Sequence, residues 1–197
     1  MTTYERTPLC ELAEKHLTDK SMKFNRYSYF YNKAIRESMN RDEVIRVGEI
    51  GIGHLDCMCH VSWDYKPGAS LRMWEEYFPN AKVYGFDYDE RTLFTEGRIE
   101  CIFADQSTQE NLHTAFSKCG GLFDLIVDDG SHYPPHQLNT RAVAPEYIRP
   151  GGLLIIEDVK REVLEEWMEE PPPGFETICI NPEDNKVSSF VIYRKLK

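Results

Sequence analysis

Several things this chain lacks narrow what it can be. No stretch approaches the roughly 20 apolar residues of a membrane-spanning helix. Met1-Thr2-Thr3-Tyr4-Glu5 lacks the apolar core of a secretory leader, so a cytoplasmic location is expected. Basic side chains are few: 23 Lys and Arg stand against 33 Asp and Glu, a net charge of -10. There is no Lys/Arg run, and binding of nucleic acid through its phosphates is not expected. Cysteine is sparse and scattered, at positions 10, 57, 59, 101, 119 and 179. Two of these, Cys101 and Cys179, fall inside apparent strands, which argues against a disulfide framework. Cys57-Met58-Cys59-His60 lacks the second pair that zinc would need and reads as a plain loop. Internal repeats and low-complexity linkers are also absent. The 197 residues suffice for one domain with a full core.

What is present is a pair of apolar runs that end in paired carboxylates. One is Phe123-Asp124-Leu125-Ile126-Val127-Asp128-Asp129-Gly130-Ser131-His132. The other is Gly151-Gly152-Leu153-Leu154-Ile155-Ile156-Glu157-Asp158. Buried parallel strands read as continuous apolar runs, so a charge ends such a run at the rim of the sheet. In open α/β sheets that rim, at the carboxyl ends of the strands, is where ligands bind. Four carboxylates and a histidine are therefore expected to face one crevice, as a metal site or an acid/base site.

Helices are predicted over 8–17 and 24–39, the second with an apolar stripe of Phe24, Tyr27, Tyr31, Ala34 and Ile35. From Asp42 the pattern alternates. Strands are predicted at 44–50, 82–88, 99–105, 123–128 and 152–157, and helices at 69–78, 107–118, 135–148 and 160–169. Such alternation implies a parallel sheet with helices on both faces. Two last strands, 175–181 and 188–195, flank Asn181-Pro182-Glu183-Asp184-Asn185, a turn short enough for an antiparallel hairpin. Residues 54–68 are long for a strand-to-helix connection and are read as a functional loop.

The first strand leads into Glu49-Ile50-Gly51-Ile52-Gly53. Glycines let a backbone turn sharply and approach a ligand. Asp87 ends the second strand, where a carboxylate can accept from both hydroxyls of a ribose. Asp105 and Gln106 end the third, placed to read the edge of an adenine. A pyrophosphate cradle would need a third glycine, but Asp56 stands there, and Glu49 suits a cationic ligand. S-adenosylmethionine is cationic at sulfur and nitrogen and carries no phosphate.

These residues, with the terminal hairpin, resemble a class I S-adenosylmethionine-dependent methyltransferase. The resemblance implies a three-layer α/β/α sandwich with a seven-stranded, mostly parallel sheet in the order 3-2-1-4-5-7-6 and an antiparallel last strand. Asp128-Asp129-Gly130-Ser131-His132 followed by Glu157-Asp158 is similar to the metal-dependent sugar O-methyltransferases of macrolide biosynthesis. Thr18-Asp19-Lys20, Ser70-Leu71-Arg72-Met73-Trp74 and Tyr77-Phe78-Pro79 fit that group too. The resemblance implies Mg²⁺ ligands at Asp129, Glu157 and Asp158, with His132 as the catalytic base. It implies a methyl donor held by Glu49, Gly51, Gly53, Asp87, Asp105 and Gln106, with Ser70 a further candidate. Residues 1–41 are expected to form a helical segment covering the active site, and residues 42–197 the methyltransferase core.

Two acceptor oxygens on one metal would suit a vicinal diol, so the expected acceptor is a diol-bearing sugar or glycan. The macrolide itself is not carried over. Trp63 and Tyr65, in the irregular loop, and His136, after Pro134-Pro135, are candidates for the acceptor side. Asp128 should point to the opposite face from Asp129 and bond loop amides. Asp158 has a second reading as the N-cap of the following helix. Three other functions stay open: a catechol-like O-methyltransferase, a nicotinamide oxidoreductase, and a nucleoside-binding module. A homodimer and a longer glycan-synthesis polypeptide are both compatible with the sequence.

Overall fold

A computed structural model of the chain describes residues 4–179 and 189–197. The helices are α1 (Pro8–Lys15), α2 (Tyr27–Ser38), α3 (Leu55–Met58), α4 (Ala69–Tyr77), α5 (Gln109–Ser117), α6 (Pro134–Tyr147) and α7 (Arg161–Glu169). The strands are β1 (Arg46–Ile50), β2 (Lys82–Asp87), β3 (Thr95–Glu96), β4 (Ile99–Phe103), β5 (Phe123–Asp128), β6 (Ile148–Ile156), β7 (Phe175–Cys179) and β8 (Val191–Lys195).

They form one sheet in the order β3-β4-β2-β1-β5-β6-β8-β7. Strands β4, β2, β1, β5 and β6 run parallel, and β8 lies antiparallel to both β6 and β7. Without β3 this is the expected seven-stranded order. The eighth strand is a two-residue antiparallel addition to β4, turned back by Gly97 at φ +55. Two exposed residues carry no apolar period, so nothing in the sequence announced it. The expected turn at 181–185 lies outside the described residues.

Alternation along the strands divides the core between the two faces. Val47, Val127, Leu153 and Ile155 pack with α1, α2 and α4, around Tyr27, Tyr31 and Trp74. Ile50, Ile126, Leu154 and Ile156 pack with Leu112 and Phe116 of α5, Val143 of α6 and Trp167 of α7. Pro134 and Pro135 open α6, where a missing N–H costs no helical bond. At the amino ends of the strands, buried Asp124 accepts from the backbone N–H of Ile45 and of Arg46, both at 2.9 Å. Arg149 pairs with its other oxygen, so β1, β5 and β6 are tied together at that end.

Candidate active site

The register of the strands brings the acidic ends side by side. Ile50 pairs with Asp128 and Asp128 with Ile156. The ladder runs one residue further, with Asp129 N–H donating to the Ile50 carbonyl and Glu157 N–H to the Asp128 carbonyl, both at 2.9 Å. Period two does the rest. Asp129 shares a face with Val127, Glu157 with Ile155, and Glu49 with Val47. Three carboxylates therefore sit on the face covered by α1, α2 and α4.

Lys20 comes to meet them from the loop between α1 and α2. Its Nζ lies 2.5 Å from Asp129 Oδ2, 2.9 Å from Glu157 Oε1 and 3.6 Å from Glu49 Oε1. Lys20, Glu49 and Glu157 are all fully buried. Burial alone would discharge the Lys20 ammonium, but Asp129, Glu157 and Glu49 outweigh it and hold the amine well above the ordinary lysine range. Burial pushes the Glu157 carboxyl well up, and neighbouring Asp129 adds to the shift while Lys20 opposes it. Glu49 is also pushed up by burial, opposed by Lys20 and by bonds from Ser70 and Trp74. Ser70 Oγ donates to Glu49 at 2.5 Å, and Trp74 Nε1 donates to its other oxygen.

At the open side of this cluster, Asp129, His132 and Asp158 offer ligand atoms within 4.8 Å of one another. His132 Nε2 is 3.9 Å from Asp129 Oδ1 and 3.9 Å from Asp158 Oδ2. Both His132 and Asp158 have left-handed backbone, at φ 54 and 49, which turns their side chains out of strand alternation. Tyr27 of α2 donates to Asp158 Oδ1 at 3.0 Å. Helix α7 begins with Lys160 as its N-cap, so Asp158 is not spent on capping it. The expected metal set named Glu157, whereas here Glu157 faces Lys20 and His132 stands with Asp129 and Asp158. Two carboxylate oxygens with an imidazole, beside acidic groups that outnumber one lysine, fit a divalent cation.

Asp128 lies on the other face, as expected from alternation. Gln106 Nε2 donates to both of its oxygens, at 2.7 and 2.6 Å, and Gly130 N–H to one at 3.2 Å. Burial raises the Asp128 carboxyl to about 6. Gln106 also accepts from Ser131 N–H at 3.1 Å and so shapes the loop that carries His132. Ser131 Oγ meets His136 Nδ1 at 2.9 Å.

The glycine turn stands beside the acidic rim. A Cβ on Gly51, at φ +91, would lie 2.0 Å from the Asp129 carbonyl oxygen. Asp87 accepts from Ile52 N–H at 2.8 Å and from Asp89 N–H at 2.9 Å, which holds the turn against β2. Half-buried Asp105 accepts from Ser107 N–H at 2.8 Å. Of the expected donor-site residues, Glu49, Ser70 and Gln106 are buried and spend polar atoms on protein partners, as buried polar groups must. Asp87, Asp105 and the 51–53 turn line the rim.

The acceptor-side candidates separate. Trp63 is 81% exposed, but Tyr65 is buried beneath the turn, donating to the Ile52 carbonyl at 3.1 Å. A tyrosine ring can satisfy both core and hydrogen bond there, so Tyr65 supports the turn and does not line an open acceptor face. Cys57 Sγ bonds the His54 carbonyl in the short α3. Among the described residues the only cluster of three metal-ligating side chains is Asp129, His132 and Asp158. Lys20 is the site residue that pattern reading missed. A lone lysine is ordinarily solvated, and its one signal was the Thr18-Asp19-Lys20 tripeptide.

This sheet order, with a glycine turn after β1 and acidic ends on β2, β5 and β6, defines the class I methyltransferase fold. The same fold is seen in the methyltransferase MycE of the mycinamycin biosynthetic pathway, solved with Mg, SAH and mycinamycin VI. That structure matches 98% of this chain and 55% of its own at a TM-score of 0.76 and 24% identity. In sequence, the chain is similar to O-methyltransferases of macrolide biosynthesis. It is 35% identical over 151 residues to mycinamicin VI 2''-O-methyltransferase of Micromonospora griseorubida, which is 77% of this chain and 36% of that one. It is 35% identical over 157 residues to demethylmacrocin O-methyltransferase of Streptomyces fradiae, 80% of this chain and 38% of that one. The chain thus spans between a third and two fifths of the length of these curated relatives. No family model matches it.

Proposed function

We propose that the chain is an S-adenosylmethionine- and divalent-metal-dependent O-methyltransferase acting on a sugar or glycan hydroxyl. The observation that carries the reading is the cluster of Asp129, His132 and Asp158, with ligand atoms within 4.8 Å and the Gly51 turn against Asp129. A metal site and a nucleoside turn that share one backbone contact suit a reaction in which donor and acceptor meet. The relatives named as 2''-O- and 3-O-methyltransferases, the latter of L-olivosyl-oleandolide, support a sugar hydroxyl as acceptor.

Asp129 and Asp158 would hold the cation, with Glu157 behind Asp129. Asp87, Asp105 and the 51–53 turn would hold the donor. Bound there, S-adenosylmethionine supplies an activated methyl group, and a divalent cation acidifies and orients an acceptor hydroxyl. His132 Nε2 would accept the proton of that hydroxyl, and the two carboxylates 3.9 Å from it stabilise the imidazolium that results. Its left-handed backbone keeps the ring over the cluster. Tyr27 fixes Asp158, and Gln106 fixes the loop before His132. Lys20 and Tyr27 reach the site from the helical segment before β1, which supports a covering role for that segment. Trp63 and His136 would lie on the acceptor side, and a cation held by Asp129 and Asp158 would suit an acceptor that offers a chelating pair of hydroxyls, a vicinal diol. A cytoplasmic location belongs to the same reading; no described helix is long and apolar enough to cross a membrane.

The test is transfer of labelled methyl from S-adenosylmethionine to rhamnosides, with Mg²⁺ or with EDTA. Transfer that EDTA abolishes is the expected result. Equal transfer in EDTA would refute metal dependence, and equal use of a lone alcohol would refute the diol.

A further inference from the structure

The carboxylate cluster already holds one cation of its own. We propose that Lys20 is the resident counter-ion of Asp129 and Glu157, and that a divalent cation takes this cluster in competition with it. The inference rests on the metal-dependent reading above.

The lysine's position is built. Its carbonyl accepts from Ser28 N–H at 2.9 Å, its own N–H donates to Thr18 Oγ1 at 3.3 Å, and the Asp19 carbonyl accepts from Asn25 N–H at 2.9 Å. The loop is tied down on both sides of Lys20, and the ammonium is buried among its partners. Asp129 is divided between two neighbours. Oδ2 is on Lys20 at 2.5 Å, and Oδ1 faces His132 Nε2 at 3.9 Å. A cation held by Asp129 and Asp158 would share the Asp129 carboxylate with the ammonium, and two cations on one carboxylate repel.

Charge balance points the same way. Asp129 and Asp158 alone outnumber one lysine, before buried Glu49 and Glu157 are counted, so the cluster still lacks positive charge with Lys20 in place. Lys20 offsets part of that excess when no metal is bound. It also holds both oxygens of Glu157, at 2.9 and 3.0 Å, and so keeps that carboxylate from a metal. The lysine is a positioning residue: it steadies the metal-free protein and weakens divalent affinity.

The experiment compares wild type, Lys20→Met, Glu157→Gln and the double variant, in thermal unfolding with and without Mg²⁺ and in Mn²⁺ binding by water-proton relaxation. Methionine keeps the apolar stem and removes the charge. Metal-free Lys20→Met should melt roughly 10 °C below wild type, since it leaves buried carboxylates without their cation. Mg²⁺ should raise its midpoint by more than it raises that of wild type. Mn²⁺ should bind Lys20→Met at least tenfold more tightly, about 1.4 kcal/mol. The double variant, which loses one charge of each sign, should regain metal-free stability. Should Lys20→Met fail to fold, the double variant must still bind Mn²⁺ more tightly than Glu157→Gln alone. Unchanged or weaker Mn²⁺ binding in the lysine variants, with wild type binding normally, overturns the proposal alone. Wild type that binds no Mn²⁺ overturns the metal-dependent reading and the proposal with it.

Discussion

Gly51 is where the fold and the site meet, and Gly51→Ala is the sharpest single perturbation of both. The native φ of +91 costs any residue with a Cβ about 1–2 kcal/mol. The new methyl would also lie 2.0 Å from the Asp129 carbonyl oxygen, where contacts under 3.0 Å do not occur. That carbonyl belongs to backbone whose N–H is bonded to Ile50, so it cannot swing away as a side chain would. A shift of this kind costs about 1–3 kcal/mol, as overpacking does. The total is about 2–5 kcal/mol, or roughly 10 °C in a domain of this size. Gly53→Ala is the control. At φ +70 it carries similar strain, but its nearest neighbour is the tip of a side chain, the Tyr65 hydroxyl at 2.8 Å, and not backbone. It should lose about 1–2 kcal/mol. Urea unfolding followed by circular dichroism measures both. A Gly51→Ala protein no less stable than Gly53→Ala would refute the claim that the Asp129 backbone dictates this glycine.

Three further outcomes are expected. Asp124→Ala strips two backbone N–H groups and Arg149 of their acceptor, and should cost about 2–4 kcal/mol in denaturant unfolding; a loss under 1 kcal/mol would be inconsistent with a buried staple. Asp128, raised to about 6 by burial, carries stability that is present below pH 4 and lost as pH rises through about 6. Asp128→Asn should therefore flatten the dependence of the melting temperature on pH between 4 and 7, and an unchanged slope would count against the assignment. His132→Ala should lower methyl transfer by about 10²–10⁴-fold with S-adenosylhomocysteine affinity within about twofold. Equal loss in binding would make His132 a donor-site residue instead of the base.

The central strands were legible as apolar runs, β5 and β6 leading into carboxylates, and period two assigned their faces; their order in the sheet was implied by the family resemblance and not by the pattern. That logic placed Asp128 opposite Asp129, as the two hydrogen-bond networks bear out. Periodicity could not see β3, whose two exposed residues have no apolar partner. Nor could it see which polar groups would pair once buried. Tyr65 and Gln106 look like ligand contacts at strand and loop ends, yet each satisfies a neighbouring protein group. Lys20 was hidden for a different reason. Its partners lie 109 and 137 residues away, and only the folded sheet brings their charges together.

The central claim is that the rim of β1 and β2 binds an S-adenosyl donor. Calorimetric titration of S-adenosylhomocysteine with Mg²⁺ present tests it most directly, with Asp87→Asn alongside. Saturable one-to-one binding in wild type, weakened at least about tenfold in the variant, is the predicted result, a difference of about 1.4 kcal/mol. A folded wild-type protein that gives no binding heat and no shift in melting temperature would contradict the account.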